Sequence, residues 1–406
     1  MSEVWRPSRA AGLERLQNFL PKAGKEYKSK RNYDSLQHVS GLSPYLTHRL
    51  VLDGEVVSTV LESHKPAEAE SFLDEVLWRT YWKGWLEGRP QVFSNWERLL
   101  AEDSRRWPER EDYQVAIAGK TGIEPFDHWV EQLKSTGYLH NHARMWFASI
   151  WIFTLKLPWS LGSAFFLEHL LDGDVASNLL SWRWVAGLHT KGKHYLARAD
   201  NIKKYTEGRF HPSGKLSEEA PPLNGFPNPP YKSPISFPFS ASSQIGESYA
   251  LLLTADDLCP ELGPIGEMKP SLVLSLDPAE AYAENAISNK VLAFKKDAME
   301  DAATRAAEHF GVESRSFVLG ADAPAALKGV MEERQVTSLV YFEPFIGPWK
   351  KMTSALSSRD VGVTFFPLRR PWDGLLHPHA VKGYFHFKKH AFTQVVRTRG
   401  SFHAPR

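Results

Sequence analysis

The sequence predicts a helical domain followed by a doubly wound parallel α/β (Rossmann-like) domain, and three observations carry that prediction. Twelve of the 14 tryptophans precede residue 210. Before that point apolar residues recur at three and four spacing, the mark of amphipathic helices. After residue 247 short β-branched runs alternate with helical segments, as in a parallel sheet covered on both faces.

The elements follow in order. Helices are predicted over Ala67–Leu86, Phe126–Lys134, His140–Leu155 and Leu161–Leu171, with no strand alternation among them. Strands are predicted over Tyr249–Thr254, Ser271–Leu276, Ser316–Leu319, Ser338–Phe342 and Val361–Phe366, and helices over Asp297–Phe310, Ala323–Arg334 and Trp349–Leu356. Between the halves, Pro212–Gly246 holds eight prolines, which favours extended backbone. The chain therefore divides into a helical unit, 1–211, a linker, 212–246, and an α/β unit with a C-terminal extension, 247–406.

Composition narrows the function. With 42% hydrophobic and 24% charged residues the 406-residue chain can bury a sizeable core. A net charge of +2 gives no global case for a polyanion-binding tail. The single cysteine, Cys259, excludes an intramolecular disulfide, a four-cysteine zinc site and an iron-sulfur cluster, and points to a reducing compartment. The first residues lack an apolar signal core, and the longest apolar stretch, Met145 to Leu155, is too short to span a bilayer, so a cytoplasmic protein without membrane attachment is expected. Neither H-E-x-x-H nor G-x-S-x-G occurs, and no G-x-G-x-x-G follows the first predicted strand.

The densest polar constellation lies between Tyr138 and Trp184. Asn141 and Arg144 share a helix face, as do Asp174 and Asn178, among tryptophans and leucines where unpaired charge is rare. A structural Arg144–Asp172 ion pair and a polar ligand site are both compatible with this pattern. SGLSPY (Ser40 to Tyr45) leads into a helix and can present free N–H groups to phosphate, or simply cap that helix. EVLWRTYW (Glu75 to Trp82) sets Glu75 against Arg79 and Trp78 against Trp82 at i, i+4.

Taken together, SGLSPY, EVLWRTYW, KTGIEPFDHWVEQLKSTGYLHNHARM and DGDVASNLLSWRWVAG, in this order over about 150 residues, resemble the flavin-binding helical domain of the DNA photolyase and cryptochrome family. The resemblance implies FAD as cofactor and light-driven electron transfer to a pyrimidine dimer in damaged DNA, single- or double-stranded. It implies that Tyr27 and Ser40, Gly41, Leu42 and Ser43 hold the diphosphate, with Phe72 and Arg79 beside the cofactor. Asn141 and Arg144 would flank the flavin, Arg144 paired with Asp172. Asp174 would lie near the ring edge and Asn178 would face its N5, a choice that favours repair. Glu75 matches the carboxylate that bonds the dimer's bases, and Trp78, Met145 and Trp184 match the apolar walls that receive the flipped lesion. Trp182 and Trp159 match the inner and middle members of the electron-transfer chain, and Trp107 lies within one residue of the outer one.

Departures from the family pattern are also visible. Tyr138 replaces a tryptophan, and His142 stands where an arginine often contacts DNA. His140 is present, but Met145 takes the place of the second histidine of (6-4) photolyases, which favours cyclobutane dimers. The α/β half resembles the family's antenna domain more faintly and follows the helical domain instead of preceding it, which implies a circular permutation; an unrelated Rossmann-like fusion is the alternative. No residue match supports a second, antenna chromophore; Phe342 stands where a folate-binding residue is expected. Lys191, Lys193, Arg198, Lys203, Lys204 and Arg209 cluster after the flavin motif, either a phosphate-binding patch or a solvated face. The rival reading is a cryptochrome-like photoreceptor that photoreduces FAD, repairs nothing and signals through a protein partner.

Overall fold

The structure, a computed structural model, describes residues 5–190, 192–223, 226–239, 245, 248–263, 265, 269–282, 286–317, 323–358 and 362–401. Among the described residues, twelve α-helices occupy the first half: α1 (Arg9–Phe19), α2 (Lys25–Lys30), α3 (Ser43–Thr47), α4 (Asp53–Ser63), α5 (Pro66–Glu87), α6 (Gln91–Arg106), α7 (Glu111–Ile117), α8 (Glu124–Thr136), α9 (Asn141–Ser149), α10 (Trp159–His169), α11 (Val175–Val185) and α12 (Ala199–Tyr205). Their ends are set locally. Ser8 caps α1 through its hydroxyl, Pro44 sits in the first turn of α3, and Gly137, at φ +73°, stops α8 in the left-handed conformation that a glycine adopts without strain. The predicted helix His140–Leu155 is α9 continued by a π-helical turn, Ile150–Thr154. The predicted Leu161–Leu171 stops at His169, because Leu170 turns extended.

The second half adds β1 (Tyr249–Leu253), β2 (Leu272–Leu276), α13 (Pro278–Ala281), α14 (Asn289–Phe310), β3 (Ser314–Phe317), α15 (Ala323–Glu333), β4 (Ser338–Phe342), α16 (Pro348–Ser357), β5 (Thr364–Leu368), α17 (Pro371–Leu376) and α18 (Tyr384–Thr398). All strand pairs are parallel, in the order β3-β2-β1-β4-β5. The three central strands are buried throughout, as a sheet covered on both faces requires. The edge strands depart from expectation. β3 begins two residues before the predicted start and β5 three after it, because a half-solvated edge carries no continuous apolar run to mark it. Residues 318, 319 and 361 of those predictions lie outside the described residues. Pro367 is tolerated because β5 is an edge. Helix α14 starts eight residues earlier than predicted, at an N-cap formed by Ser288.

The described part of 212–239 holds neither helix nor strand and crosses the helical domain as an extended strap; 224, 225, 240–244 and 246 lie outside the described residues. Arg183 donates to Phe226 O and Asn228 Oδ1, Lys232 N donates to Gly88 O, and Arg369 N donates to Pro238 O.

The two halves share one core, and the joint lies at the carboxyl ends of β1 and β4, where the strand order reverses and open α/β sheets usually keep a ligand crevice. Here the helical domain fills the place. Arg49, buried, reaches Asp373 at 2.6 Å and Asp257 at 3.2 Å, and Arg370 clasps the same Asp257 at 2.6 Å. The Lys83 ammonium lies 3.9 Å from the centre of the Phe345 ring, and Phe345 N donates to Asp256. His48 bridges the halves, with Nδ1 2.6 Å from Ala255 O and Nε2 3.1 Å from Leu171 O. Burial lowers this imidazole to about 3, with Lys295 adding to the effect, so it is neutral at physiological pH and donates only one of those two bonds.

No helix among the described residues is long and apolar enough to cross a membrane.

Candidate functional site

A cavity of about 630 Å³ opens between α2, the segment before α3, α5, α9 and α11, a size common for small-molecule sites. Its lining includes Tyr27, Ser40, Gly41, Leu42, Ser43, Phe72, Glu75, Trp78, Arg79, His140, Asn141, Arg144, Met145, Asp172, Asn178, Trp182 and Trp184. Motifs separated by 150 residues thus converge because each lies on, or just before, a helix that turns one stripe inward.

The cavity's polarity is built in pairs. Arg144 Nη2 donates to Asp172 at 2.8 Å, and Arg144 Nε donates to Leu139 O. Burial pushes Asp172 up, but the guanidinium beside it outweighs burial and holds the carboxyl below its usual range. Asn178 donates its amide N–H to Ser163 O at 2.8 Å, which fixes the amide plane at the cavity wall. Gly41, at φ +61°, turns the loop ahead of α3, and its carbonyl is held by the indole N–H of Trp5 at 2.8 Å. His140 caps α9 by accepting from His142 N, and burial lowers its imidazole to about 4.

Two expectations are corrected. Glu75 does not pair with Arg79: Arg31 of the turn after α2 takes Glu75, while Arg79 donates to Thr47 Oγ1 and lies 3.4 Å from Asp174. Asp174 is absent from the cavity lining. Its carboxylate caps α11 by accepting from Ser177 N at 2.9 Å and faces Lys83 at 3.4 Å, so it is spent on the fold and on the lysine. Of the basic cluster, Lys193, Arg198, Lys203, Lys204 and Arg209 are exposed, but Arg209 is paired with Asp34 at 3.0 Å, and 191 lies outside the described residues.

The three tryptophans assigned to electron transfer differ in setting. Trp182 is buried at the cavity with its indole N–H unpartnered, and its ring lies so close to Gly162 that an added Cβ would sit 2.3 Å from Cη2. Trp159 is buried away from the cavity, 5.9 Å from the Phe226 ring and from the Arg183 guanidinium. Trp107 ends α6 half-buried, under Arg110.

A family model described as the FAD binding domain of DNA photolyase matches residues 72–251. Over residues 72–251 the chain is similar to the flavin-binding domain of the photolyase and cryptochrome family. The deoxyribodipyrimidine photo-lyase of Vibrio cholerae is 29% identical over 208 residues, which cover 49% of this chain and 43% of that protein. That of Streptomyces griseus is 31% identical over 198 residues, 46% and 43% respectively. The chain thus spans less than half the length of these two curated relatives. Among solved structures, a class III photolyase from Agrobacterium tumefaciens matches at 26% identity and a TM-score of 0.44, covering 51% of this chain and 44% of that one. A Synechocystis cryptochrome matches at 23% and 0.42, covering 50% and 44%.

The photolyase domain's cofactor is FAD, and the cavity fits it on its own evidence. Ser177 and Trp182 line it, and Ser177 Oγ and Trp182 Nε1 are buried without a hydrogen-bond partner. The open amide of Asn141 and the Arg144 guanidinium add donors for a polar cofactor. Sequence reasoning missed several residues of this cavity, and two are instructive. Arg31 carries no local signal, since its partner Glu75 is 44 residues away. Phe385 lines the cavity from α18, in the other half of the chain.

Proposed function

We propose that the protein is a light-driven DNA-repair flavoprotein that splits cyclobutane pyrimidine dimers, acting on damaged DNA of one or two strands. The single observation that carries the reading is the convergence of Glu75, Trp78, Met145, Asn178 and Trp184 on the cavity that also holds the Arg144–Asp172 pair. When bound, FAD supplies light absorption and the electron that opens the dimer. The chain's residues do the rest. Arg144, Asn141 and the Ser40–Ser43 segment hold the cofactor, and Asn178 presents its tethered amide to it. Trp78, Met145 and Trp184 form an apolar wall against which an extruded dimer of two adjacent, already damaged bases is cheap to seat. Glu75, held by Arg31, offers its carboxyl to the bases. Trp182, Trp159 and Trp107 are proposed to refill the flavin.

The test is repair of dimer-containing oligonucleotides by the photoreduced protein under blue light, against a dark control. Light-dependent restoration of intact thymines is expected, and Glu75→Ala should keep its flavin spectrum while repairing roughly 10- to 100-fold more slowly, the scale of losing one or two charge-assisted hydrogen bonds. Photoreduction with no repair of either lesion class would replace this reading with a photoreceptor.

The domain order is proposed to be a circular permutation of the photolyase arrangement. Arg9 pairs with Glu55 in the first turn of α4, and Gly400 abuts Gly54 in the same turn, an added Cβ there lying 2.3 Å from Gly54 O. Arg9 and Gly400 thus both lie against the first turn of α4, which supports rejoining the chain near them. A chain opened within 212–246 and joined from Ser401 to Trp5 by a linker, keeping Trp5 and Ser8, should fold and retain FAD. A flavin-free aggregate from that rejoined chain sinks the permutation.

A further inference from the structure

We propose that the first turn of α18 is part of the DNA-binding face, with Phe385 acting as an apolar wedge that fills the stack beside the extruded dimer. This rests on the repair reading above and assigns to the α/β half a role in substrate binding.

The packing of α18 leaves Phe385 unexplained by the fold. The helix buries Tyr384, Phe387, Ala391 and Val395, a single stripe at helical spacing. Phe385 lies off that stripe and is 77% exposed, yet it borders the cavity together with Trp78 and Trp184. An exposed phenylalanine gives up the stabilisation that burial of a large ring provides. A ring standing at the rim of a lesion pocket gains it back only when something apolar arrives.

The turn that carries this ring is held rigidly. Tyr384 stacks on Trp78 with ring centres 3.6 Å apart and 10° between planes, and its hydroxyl donates to Asp74 at 3.0 Å. Lys388 adds bonds of 2.7 Å to Glu70 and Asp74. The nearby acidic side chains of α5 are thereby engaged, while Lys382 and Lys389 stay exposed on either side of Phe385, with His386 and His390. An aromatic ring flanked by cations at the mouth of a pocket suits a nucleic-acid strand: the ring stacks on a base, and the lysines meet phosphates. Extruding a dimer leaves a gap in the stack that an inserted apolar side chain fills.

The experiment uses the full FAD-bound chain in the dark, with a duplex carrying one thymine dimer, its undamaged counterpart, and 2-aminopurine beside the dimer. Phe385→Ala should bind the dimer duplex about 5- to 100-fold more weakly, the range for losing one base–aromatic stack. It should also lose the 2-aminopurine fluorescence change, while Phe385→Trp keeps both. The thermal midpoint, unchanged in both variants because the side chain is 77% exposed, separates this loss from misfolding. Lys382→Glu with Lys389→Glu should lower the salt slope of binding by about 2 for both duplexes. Wild-type-like dimer affinity and fluorescence in Phe385→Ala overturns the wedge and leaves the repair reading standing. A wild-type protein that does not prefer the dimer duplex overturns the repair reading, and the wedge with it.

Discussion

Arg144→Ala is expected to emerge from gel filtration without flavin absorbance. The substitution removes a donor from the cavity and strands the Asp172 carboxylate, whose side chain is only 2% exposed. Breaking a buried pair from one side costs about 3–5 kcal/mol, because the remaining charge has lost its compensation. Loss of FAD and loss of stability therefore arrive together, and a second variant separates them. Asn141 also lines the cavity but is exposed to it and belongs to no ion pair in the structure, so Asn141→Ala should weaken FAD retention while shifting the thermal midpoint little. Stoichiometric flavin in both variants would show that the cofactor is held elsewhere.

The second large effect is expected at the joint between the halves. Arg49 serves two carboxylates from the α/β half, Asp373 and Asp257, and all three side chains are at most 5% exposed. Asp257 retains Arg370 if Arg49 is removed, but Asp373 loses the Nη2 that bonds both its oxygens and is left with His377 at 3.5 Å and the more distant Arg369. Arg49→Ala should thus destabilise the folded protein by about 3–5 kcal/mol. Denaturant unfolding followed by tryptophan fluorescence and by far-ultraviolet circular dichroism measures it. Tryptophan fluorescence weights the first half, where the tryptophans crowd, whereas circular dichroism sums the helices of both, so non-coincident transitions in the variant would show the halves uncoupled. Arg49→Met combined with Asp373→Leu should recover much of the loss, because a buried pair replaced on both sides leaves no orphan charge. An Arg49→Ala protein as stable as wild type would mean that the network stabilises nothing net.

The rigid joint and the cavity are linked through α5. Its inward stripe supplies Phe72, Glu75, Val76 and Arg79 to the cavity, and its other side supplies Asp74, Trp78 and Tyr81 to α18. Gly84 lies where α5 meets His377, whose Cα would stand 2.8 Å from an added Cβ, so close approach of the halves depends on that glycine. Trp78 belongs to both surfaces. Any change in how α18 docks is transmitted to the wall of the cavity through one stacked ring.

What the sequence by itself determined follows from periodicity and motif order. The predicted Ala67–Leu86 is α5 to within one residue at each end, and Phe126–Lys134 lies inside α8, because a helix that buries one face writes that face into its spacing. The cavity-lining set from Tyr27 to Trp184 was readable from a different signal, the resemblance of four motifs, in their order, to the family's flavin-binding domain. Lys295 shows where this fails. It is 2% exposed inside α14, and a lysine in a helical stripe reads as solvent-facing until the neighbours that bury it are known. Only the tertiary structure decided which charge meets which. Glu75 and Arg79 share a helix face, yet Arg31 is the carboxylate's partner and Asp174 goes to Lys83, since i, i+4 spacing brings side chains only within range whereas docking of another helix delivers a guanidinium in contact. Phe385 is the extreme case: it reaches the cavity from a helix that begins 200 residues after the last flavin motif, and no spacing rule spans a contact that exists only because two halves close on each other.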